Sequence, residues 1–243
     1  MTGLVPDWLL RTPIAHRGLH DDAVAENTLG AVEEAIAAGY AVEVDVRLTG
    51  DGGLIVHHDV GLERTTHADG PVSAKTLEEL RHVTVRGSEE TLASLTDLFA
   101  LTAGRAPLFL DLKSPAGMER KAQMAAAVGK ALGQYGGATA LMTFDPDLLD
   151  LLRRTVTATP IGILAGGEGK GPSLVTRFGR DFLLHTVRTR PDFVSYYGPA
   201  LPHIAPQLSR RKRPVLAWTV RSAMEADRLA RHVDQIIFEG FRP

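Results

Sequence analysis

Short apolar runs alternate with longer amphipathic stretches along most of the chain. The apolar runs predict strands at 13–16, 41–47, 54–58, 107–112, 139–143, 160–164, 192–195, 214–219 and 235–238. The amphipathic stretches predict helices at 28–38, 94–103, 117–133, 146–154, 173–187 and 222–232, with a further helix at 203–210. Strands that alternate with helices in this way are typical of a parallel sheet covered by helices.

One connection departs from this alternation. Residues 48–53 join the second strand to the third, and they are too few for a helical crossover. The link contains Asp51-Gly52, a dipeptide that favours a hairpin turn. We therefore expect strand 54–58 to run antiparallel to strand 41–47, which brings His58 close to the carboxylates of that strand.

Eight strands remain when the hairpin strand is set aside, and eight is the number in a (β/α)₈ TIM barrel. The chain length fits one such domain spanning residues 1–243. Residues 59–93 are polar and poor in strands, so we expect a small insertion or lid there. Active sites of these barrels lie at the C-terminal ends of the strands, where His16, Asp45 and Asp111 are expected.

Glu43 and Asp45 lie two residues apart on the second strand, so their side chains point to the same face. Two charges on the inward face of a buried strand are costly unless they bind something. One interpretation is a divalent cation with Asp111 as a third ligand, and oxygen ligands favour Mg²⁺, Ca²⁺ or Mn²⁺ over zinc. The other interpretation is a set of buried ion pairs with Arg or Lys.

Two histidines are expected near these carboxylates. His16 and His58 each lie at the end of a predicted strand, which suits proton transfer in a metal-assisted hydrolase. A rival interpretation makes both histidines metal ligands, as in a site of the amidohydrolase type. His57 is adjacent to His58, and strand alternation turns it to the other face, so we expect it to be structural.

Positive and aromatic side chains complete the candidate site. Arg17 and Lys113 suit contacts with phosphate oxygens, and Lys113 shares a strand face with Asp111. Salt bridges between these cations and the carboxylates are equally compatible with the sequence. Phe144 and Trp218 lie at strand ends, where they either pack the barrel or line a substrate pocket.

Composition narrows the class of protein. The chain is 44% hydrophobic with a net charge of −2, so the overall charge does not favour binding to nucleic acid or to an anionic membrane. Cysteine is absent, which excludes disulfides and thiolate metal sites. No signal-peptide pattern and no apolar stretch long enough to span a membrane are present, so we expect a cytoplasmic protein. The basic run 210–213 is interpreted as a solvated helix end, with a head-group or membrane-surface contact as the alternative.

An ordered series of motifs resembles the glycerophosphodiester phosphodiesterase family. The matching segments are IAHRGLH (14–20), ENTLGAVEEAIAAG (26–39), VEVDVRLTGDGGLIVHHD (42–59), LERTTHADGPVSAKTLEEL (62–80), LFLDLKS (108–114), TFDPDLL (143–149) and AWTV (217–220). A lone HRG triplet is a weak signal, but the whole series in this order covers most of the chain.

The resemblance implies specific roles for several residues. It favours one divalent cation on Glu43 and Asp45, with Asp111 at a position where the family commonly has Glu. It implies that His16 and His58 are the acid and the base rather than metal ligands. Further implied contacts with substrate come from Arg17, Lys113, Trp218, Phe144 and Glu26.

Three residues test the limits of this resemblance. Asn27 follows Glu26 before a predicted helix, so it is either an N-cap or a member of the site. Arg221 stands where the family often has Asn, and Glu239 stands where it often has Asp. Both departures lie on the pocket side and could alter the preferred head group.

The function implied is metal-dependent hydrolysis of a glycerophosphodiester to sn-glycerol 3-phosphate and an alcohol. A second possibility is a lysophospholipase D or a phospholipase C-like activity on a lipid. A third is an inactive barrel that binds phosphorylated ligands. The expected partner is a small molecule, and the sequence leaves the alcohol group, the physiological metal and the oligomeric state open.

Overall fold

The computed structural model describes residues 5–167, 178–179 and 181–243. The strands of this described part are β1 (Ile14–Ala15), β2 (Ala41–Leu48), β3 (Leu54–Val56), β4 (Leu108–Leu112), β5 (Thr139–Thr143), β6 (Ile161–Ala165), β7 (Phe193–Tyr197), β8 (Val215–Val220) and β9 (Gln235–Phe238). Its α-helices are α1 (Trp8–Arg11), α2 (Leu29–Ala37), α3 (Leu77–Arg81), α4 (Leu95–Thr102), α5 (Met118–Leu132), α6 (Pro146–Thr155), α7 (Thr186–Thr189), α8 (Ile204–Arg210) and α9 (Ala223–Leu229). Each strand predicted from the sequence is present.

Eight of the strands close into a parallel barrel. The order around the barrel is β1, β2, β4, β5, β6, β7, β8 and β9, and β1 pairs with both β9 and β2. Most of the connecting segments carry a helix that packs on the outside of the barrel. The prediction of a (β/α)₈ TIM barrel is therefore confirmed.

The ninth strand, β3, forms the predicted antiparallel hairpin with β2. Val46 lies opposite Val56 and Leu48 lies opposite Leu54, across a turn in which Gly52 has a φ of 90°. The strand ends at Val56 rather than at residue 58. Pairing nevertheless continues by one hydrogen bond, from the His57 amide to the Asp45 carbonyl at 3.0 Å. His58 therefore leaves the sheet beside β2.

The alternation of strand side chains divides the apolar residues into an inner and an outer set. Val42, Val44 and Val46 of β2 belong to the outer set, which packs between the barrel and its helices. Ala41, at the start of β2, belongs to the inner set. The inner set also contains Leu9, Ile14, Phe109, Ala140, Met142, Leu164, Phe193, Leu216 and Ile237. This alternation directs Glu43 and Asp45 into the barrel.

Helix α1 was not predicted from the sequence. It has four residues, which is too short for a helical periodicity to be visible. Leu9 on this helix packs with Ile14 and Ala41, which lie where their strands begin. Trp8 contacts the edge of Phe109 with ring centroids 6.0 Å apart. The helix therefore packs against the inner core at the end of the barrel opposite the candidate site.

The segment predicted as an insertion, residues 59–93, has a small core of its own. Leu62, Val72, Leu80, Val85 and Leu92 pack together and against Ile55 of β3. The segment includes helix α3, which begins at a capping box formed by Thr76 and Glu79. Because α3 has five residues, its periodicity was too short to be predicted.

The predicted helix 173–187 falls partly on residues 173–177 and 180, which lie outside the described residues. Within its described part, residues 178, 179 and 181 are helical, and a turn at 182–185 precedes α7. No helix in the described ranges is both long enough and apolar enough to cross a membrane.

Candidate active site

Three buried carboxylates lie side by side inside the barrel. Glu43 and Asp45 come from β2, and Asp111 comes from the neighbouring strand β4, where it is the register partner of Asp45. All three are at most 6% exposed. One oxygen of each lies within 4.8 Å of the others. The structure therefore brings together the three residues that the sequence proposed as metal ligands.

Two cations contact these carboxylates. The Nζ of Lys113 lies 2.8 Å from Oδ1 of Asp45 and 2.5 Å from Oδ2 of Asp111. The Nε of Arg17 lies 3.2 Å from Oδ2 of Asp45. Burial raises the pKa of Asp45, but Lys113 and Arg17 outweigh it, so the pKa of this carboxyl lies below its usual value. Asp45 is therefore ionised at neutral pH.

The negative charges of Glu43 and Asp111 are less well compensated by neighbouring cations than that of Asp45. Burial raises the pKa of Glu43 well above its usual value, and the charges of Asp45 and Asp111 raise it further. Burial also raises the pKa of Asp111, although Lys113 opposes the shift. Among the described residues, Oδ1 of Asp111 is buried without a hydrogen-bond partner. An uncompensated group of oxygen ligands fits a hard divalent cation such as Mg²⁺ or Ca²⁺, which would keep all three groups ionised.

His16 links the barrel's first and last strands. It follows β1, and its Nδ1 lies 2.5 Å from Oε2 of Glu239, which follows β9. Its Nε2 lies 4.0 Å from Oε2 of Glu43 and so faces the carboxylates. Arg221 Nε donates to Oε1 of Glu239 at 2.6 Å. Glu239 thus fixes the orientation of His16 and is itself held by Arg221.

The contact between His16 and Glu239 was not anticipated from the sequence. Burial raises the pKa of Glu239, but the hydrogen bond with His16 and the nearby His20 and Arg221 lower it below its usual value. The sequence placed Glu239 at the active-site face of the barrel and marked Glu239 and Arg221 as departures from the family pattern, but it assigned them no contact. In the structure the two departures form one ion pair next to His16.

His58 lies on the other side of the site, just after β3. Its Nδ1 is 2.7 Å from Oδ1 of Asp59, and its carbonyl oxygen accepts a hydrogen bond of 2.8 Å from Nε of Arg47. Burial lowers the pKa of His58, although the charge of Asp45 opposes this shift. His58 is therefore mostly neutral at neutral pH, with its second ring nitrogen available to the cavity.

His57 has a different environment. It is buried, and its Nε2 lies 2.9 Å from the carbonyl oxygen of Gly61 in the insertion. Burial lowers the pKa of His57 as well. The expectation that His57 is structural agrees with these contacts.

Arg17 is held in an unusual backbone conformation. Its φ is 57°, in the left-handed region that non-glycine residues rarely adopt. In this conformation its amide donates to Oε2 of Glu43 at 2.9 Å, while its Nη1 donates to Oε1 of Glu26 at 2.9 Å. Glu26 also binds Arg64 of the insertion, with Nη2 2.6 Å from Oε1. Arg17 is therefore oriented by carboxylates on both ends.

Asn27 belongs to the site, and its interpretation as the helix N-cap is wrong. Thr28 caps α2 instead, because its side chain accepts a hydrogen bond from the Ala31 amide. The side-chain amide of Asn27 donates to Oδ2 of Asp45 at 2.8 Å and accepts from the Asp45 amide at 3.1 Å. These two bonds fix the position of Asp45.

The two histidines and part of the carboxylate cluster line a cavity of about 200 Å³. Its wall is formed by His16, Glu43, His58, Asp111, Lys113, Met142, Phe144, Leu164, Trp218 and Ile237. Phe144 and Trp218 meet edge to face with ring centroids 5.3 Å apart. The indole nitrogen of Trp218 donates to the Ser195 carbonyl at 3.1 Å, which fixes the ring. Both aromatic residues therefore line the cavity as well as packing the barrel.

A family model matches residues 16–239, from the first histidine of the site to the glutamate that holds it. The model describes the glycerophosphoryl diester phosphodiesterase family. The chain belongs to this family. The match includes every residue of the cavity wall.

Curated relatives of the family align over a shorter segment. A glycerophosphodiester phosphodiesterase of Caldanaerobacter subterraneus is 46% identical over 69 residues, which are 28% of this chain and 28% of the relative. Glycerophosphodiester phosphodiesterase 1 of Homo sapiens is 42% identical over 69 residues, 28% of this chain and 20% of the relative. The aligned segment therefore spans less than a third of the length of these relatives.

Solved structures match over nearly the whole chain. A phosphodiesterase of Oleispira antarctica, in complex with its product sn-glycerol-3-phosphate, has a TM-score of 0.80 and 23% identity, and the match covers 95% of this chain and 93% of that one. A putative glycerophosphoryl diester phosphodiesterase of Silicibacter pomeroyi has a TM-score of 0.78 and 26% identity, with coverage of 93% and 88%. The glycerophosphoryl diester phosphodiesterase fold thus extends well beyond the segment aligned with the curated relatives.

Proposed function

We propose that this protein hydrolyses glycerophosphodiesters to sn-glycerol 3-phosphate and an alcohol with the help of one divalent cation. The observation that carries the proposal is the pair His16 and His58, which line one cavity together with Glu43 and Asp111, two of the three clustered carboxylates. Membership of the glycerophosphoryl diester phosphodiesterase family supports the same reaction.

Glu43, Asp45 and Asp111 are the residues proposed to hold the cation. When bound, such an ion stabilises the negative charge that develops on the phosphoryl oxygens. Arg17 and Lys113 add positive charge at the same place. Both cations contact Asp45, and Lys113 lines the cavity. The guanidinium of Arg17 suits a bidentate contact with phosphate.

Proton transfer is assigned to the two histidines. We infer that His58 is the base, because burial lowers its pKa and leaves it neutral at neutral pH. It takes a proton from water or from the 2-hydroxyl of the substrate's glycerol, and that oxygen attacks phosphorus. His16 is assigned as the acid, because Glu239 accepts from its Nδ1 and so turns its Nε2 towards the carboxylates. It delivers a proton to the oxygen of the leaving alcohol.

The two possible nucleophiles lead to different intermediates. If water attacks, sn-glycerol 3-phosphate forms in a single step. If the glycerol 2-hydroxyl attacks, the alcohol leaves first and a cyclic glycerol phosphate remains. Water then opens the cyclic ester, with His16 as the base and His58 as the acid.

The apolar part of the cavity is proposed to bind the glycerol carbons. Trp218 and Phe144 line this part of the cavity and meet edge to face. Glu26 acts on substrate through Arg17, to which it is hydrogen-bonded at 2.9 Å.

The test is an assay of purified protein with glycerophosphocholine, followed by ³¹P NMR of the products. We expect sn-glycerol 3-phosphate and choline, loss of turnover with a chelator, and recovery with Mg²⁺, Ca²⁺ or Mn²⁺. Release of phosphocholine would indicate a phospholipase C-like reaction. Turnover of lysophosphatidylcholine alone would indicate a lysophospholipase D.

A binding protein without activity would turn over neither substrate. Full activity in exhaustively chelated protein would contradict the role of the cation while leaving the hydrolytic function in place.

A further inference from the structure

A second group of metal-binding side chains lies beside the carboxylates. His16, His20 and Glu239 each place one ligand atom within 4.8 Å of the others. Both imidazoles approach the same oxygen, Oε2 of Glu239. Nδ1 of His16 lies 2.5 Å from it, and Nε2 of His20 lies 3.8 Å from it. Two nitrogens and one oxygen thus converge on one point.

The hydrogen bonds around this point leave a ligand position open. Arg221 binds Oε1 of Glu239, so Oε2 is shared only by the two imidazoles among the contacts of the described residues. Nε2 of His20 is shielded from solvent and makes no hydrogen bond within the described part of the chain. A shielded imidazole nitrogen without a hydrogen bond is a free ligand for a metal ion.

An ion can reach this group from solvent. A second cavity of about 490 Å³ opens onto it and is lined by His20, Asp21, Asp22, Arg221, Glu239 and Gly240. The side chains of His16, His20 and Glu239 are 13%, 22% and 19% exposed. Asp21 and Asp22 add negative charge at the entrance, which favours the approach of a cation.

The donor set selects a different class of ion from the carboxylate site. Two imidazoles with one carboxylate form a ligand set typical of Zn²⁺, whereas Mg²⁺ and Ca²⁺ prefer oxygen alone. Zinc-to-nitrogen and zinc-to-oxygen distances of about 2.0–2.2 Å require donor atoms roughly 3.4 Å apart in a tetrahedral site. The separations of 2.5 Å and 3.8 Å lie on either side of this value, so binding requires side-chain shifts, which the partial exposure of these side chains allows.

We propose that His16, His20 and Glu239 bind a transition metal ion of the Zn²⁺ class, and that this ion inhibits the enzyme. This proposal has a binding half and an inhibitory half, and the inhibitory half rests on the proposed function. Binding replaces the proton between Nδ1 of His16 and Glu239, and that proton is released to solvent. A metal on Nδ1 leaves the single ring proton on Nε2, which faces Glu43. With Nδ1 bound to the metal, His16 has lost its direct hydrogen bond with Glu239, and its transfer step stops.

The binding half is tested with Co²⁺, because its visible absorption reports nitrogen ligation. Protein saturated with Mg²⁺ is titrated with Co²⁺ for three forms: wild type, His20→Asn and His82→Asn. His82 is a suitable control because its side chain is 77% exposed and lies away from both cavities. We expect the visible absorption band of nitrogen-bound Co²⁺ to appear in wild type and in His82→Asn. We expect the band to be absent in His20→Asn.

The inhibitory half is tested with Zn²⁺ under the same excess of Mg²⁺. We expect wild type and His82→Asn to lose turnover, and His20→Asn to keep its basal rate with at least about tenfold weaker inhibition, as expected for the loss of one ligand. Glu239→Gln is a second variant for the absorption measurement alone and should also lose the band.

The outcomes distinguish a failure of the metal site, a failure of the inhibitory role and a failure of the proposed function. An unchanged Co²⁺ band in both His20→Asn and Glu239→Gln would overturn the site. A band lost in those variants, together with equal Zn²⁺ inhibition of wild type and His20→Asn, would overturn the inhibitory role. If wild type had no phosphodiesterase activity, the proposed function would fail, while the absorption titration would still decide the metal site.

Discussion

The cavity has two walls of opposite character. The charged wall consists of His16, Glu43, His58, Asp111 and Lys113, and it comes from β1 to β4. The apolar wall consists of Met142, Phe144, Leu164, Trp218 and Ile237, and it comes from β5 to β9. The first half of the barrel therefore carries the groups proposed to cleave the ester bond, and the second half offers shape and apolar surface.

The two walls are held together by different forces. Lys113, Asp45 and Arg17 form a connected set of hydrogen bonds and ion pairs behind the charged wall. Phe144 and Trp218 are fixed mainly by ring contacts, with one hydrogen bond from the indole. A change in the charged wall should therefore leave uncompensated charges and stop the reaction. A change in the apolar wall should mainly weaken substrate binding.

The largest effect is expected from Asp45→Asn. It removes a carboxylate that is 1% exposed and paired with Lys113 and Arg17, so it should abolish cation binding and turnover. Breaking a buried ion pair of this kind also costs about 3–5 kcal/mol of stability. Metal content and the free energy of unfolding measure the two effects. Asp69→Asn changes an exposed carboxylate in the insertion and should alter neither. Retained metal content in Asp45→Asn would show that the charged wall does not depend on this residue.

The histidines give the next largest effect. His16→Ala and His58→Ala should each lower kcat by at least about 10²-fold, the usual scale for a positioned acid or base. Metal content should be unchanged, because the proposed ligands are carboxylates. His57→Ala is the matched control and should be much milder. A large loss of kcat in His57→Ala together with a nearly normal kcat in His58→Ala would show that His57, and not His58, is the histidine that transfers a proton.

A change of leaving group sharpens the roles of the two histidines. The p-nitrophenolate released from an aryl ester leaves without help from an acid, whereas the alkoxide of choline requires a proton. His16→Ala should therefore lose much less activity on the aryl ester, and His58→Ala should lose the same on both. If instead His58→Ala lost less activity on the aryl ester and His16→Ala lost the same on both substrates, His58 would be the acid and His16 the base.

Local features of the sequence were sufficient to predict the hairpin and the inward carboxylates. Both depend on patterns within a few residues: the turn at Asp51-Gly52 and the two-residue spacing of Glu43 and Asp45. The apolar wall was predicted less well from the residues alone. An aromatic residue at a strand end packs equally well in a barrel or in a pocket, so Phe144 and Trp218 had two interpretations.

Contacts between distant segments were not predicted. His16 and Glu239 are separated by 223 positions, and they meet only because β1 pairs with β9 when the barrel closes. Closure of an eight-stranded barrel was itself expected, so the adjacency of residues after the first and last strands was an available signal. Asn27 was ambiguous because asparagine is also a common N-cap. The cytoplasmic location stays a prediction.

Trp218→Ala tests the apolar wall and should have a smaller effect than the changes in the charged wall. We expect KM to rise about tenfold, which corresponds to about 1.4 kcal/mol, with little change in kcat. Trp8→Ala is the matched control, since Trp8 is the other tryptophan of the chain and packs on Phe109 at the opposite end of the barrel. It should lower stability without changing KM. A loss in kcat rather than in KM for Trp218→Ala would place this residue in the chemistry of the charged wall.

The smallest effect is expected in the pH profile. Burial lowers the pKa of His58 below its usual 6.5, so the neutral base persists to lower pH and the acid limb of kcat/KM should lie below 6.5. The hydrogen bond with Asp59 raises the pKa of His58 and so limits this shift. Asp59 has a pKa of about 2 and is ionised throughout the assay range.

Asp59→Asn removes that negative charge and should move the acid limb further down, by a fraction of a pH unit. The sign follows because the protonated imidazole loses its nearby carboxylate, which favours the neutral form. Asp69→Asn should leave the limb in place, since that exposed carboxylate does not contact His58. The profile of kcat/KM against pH measures both variants. An acid limb that rises in Asp59→Asn would show that the group titrating in it is not His58.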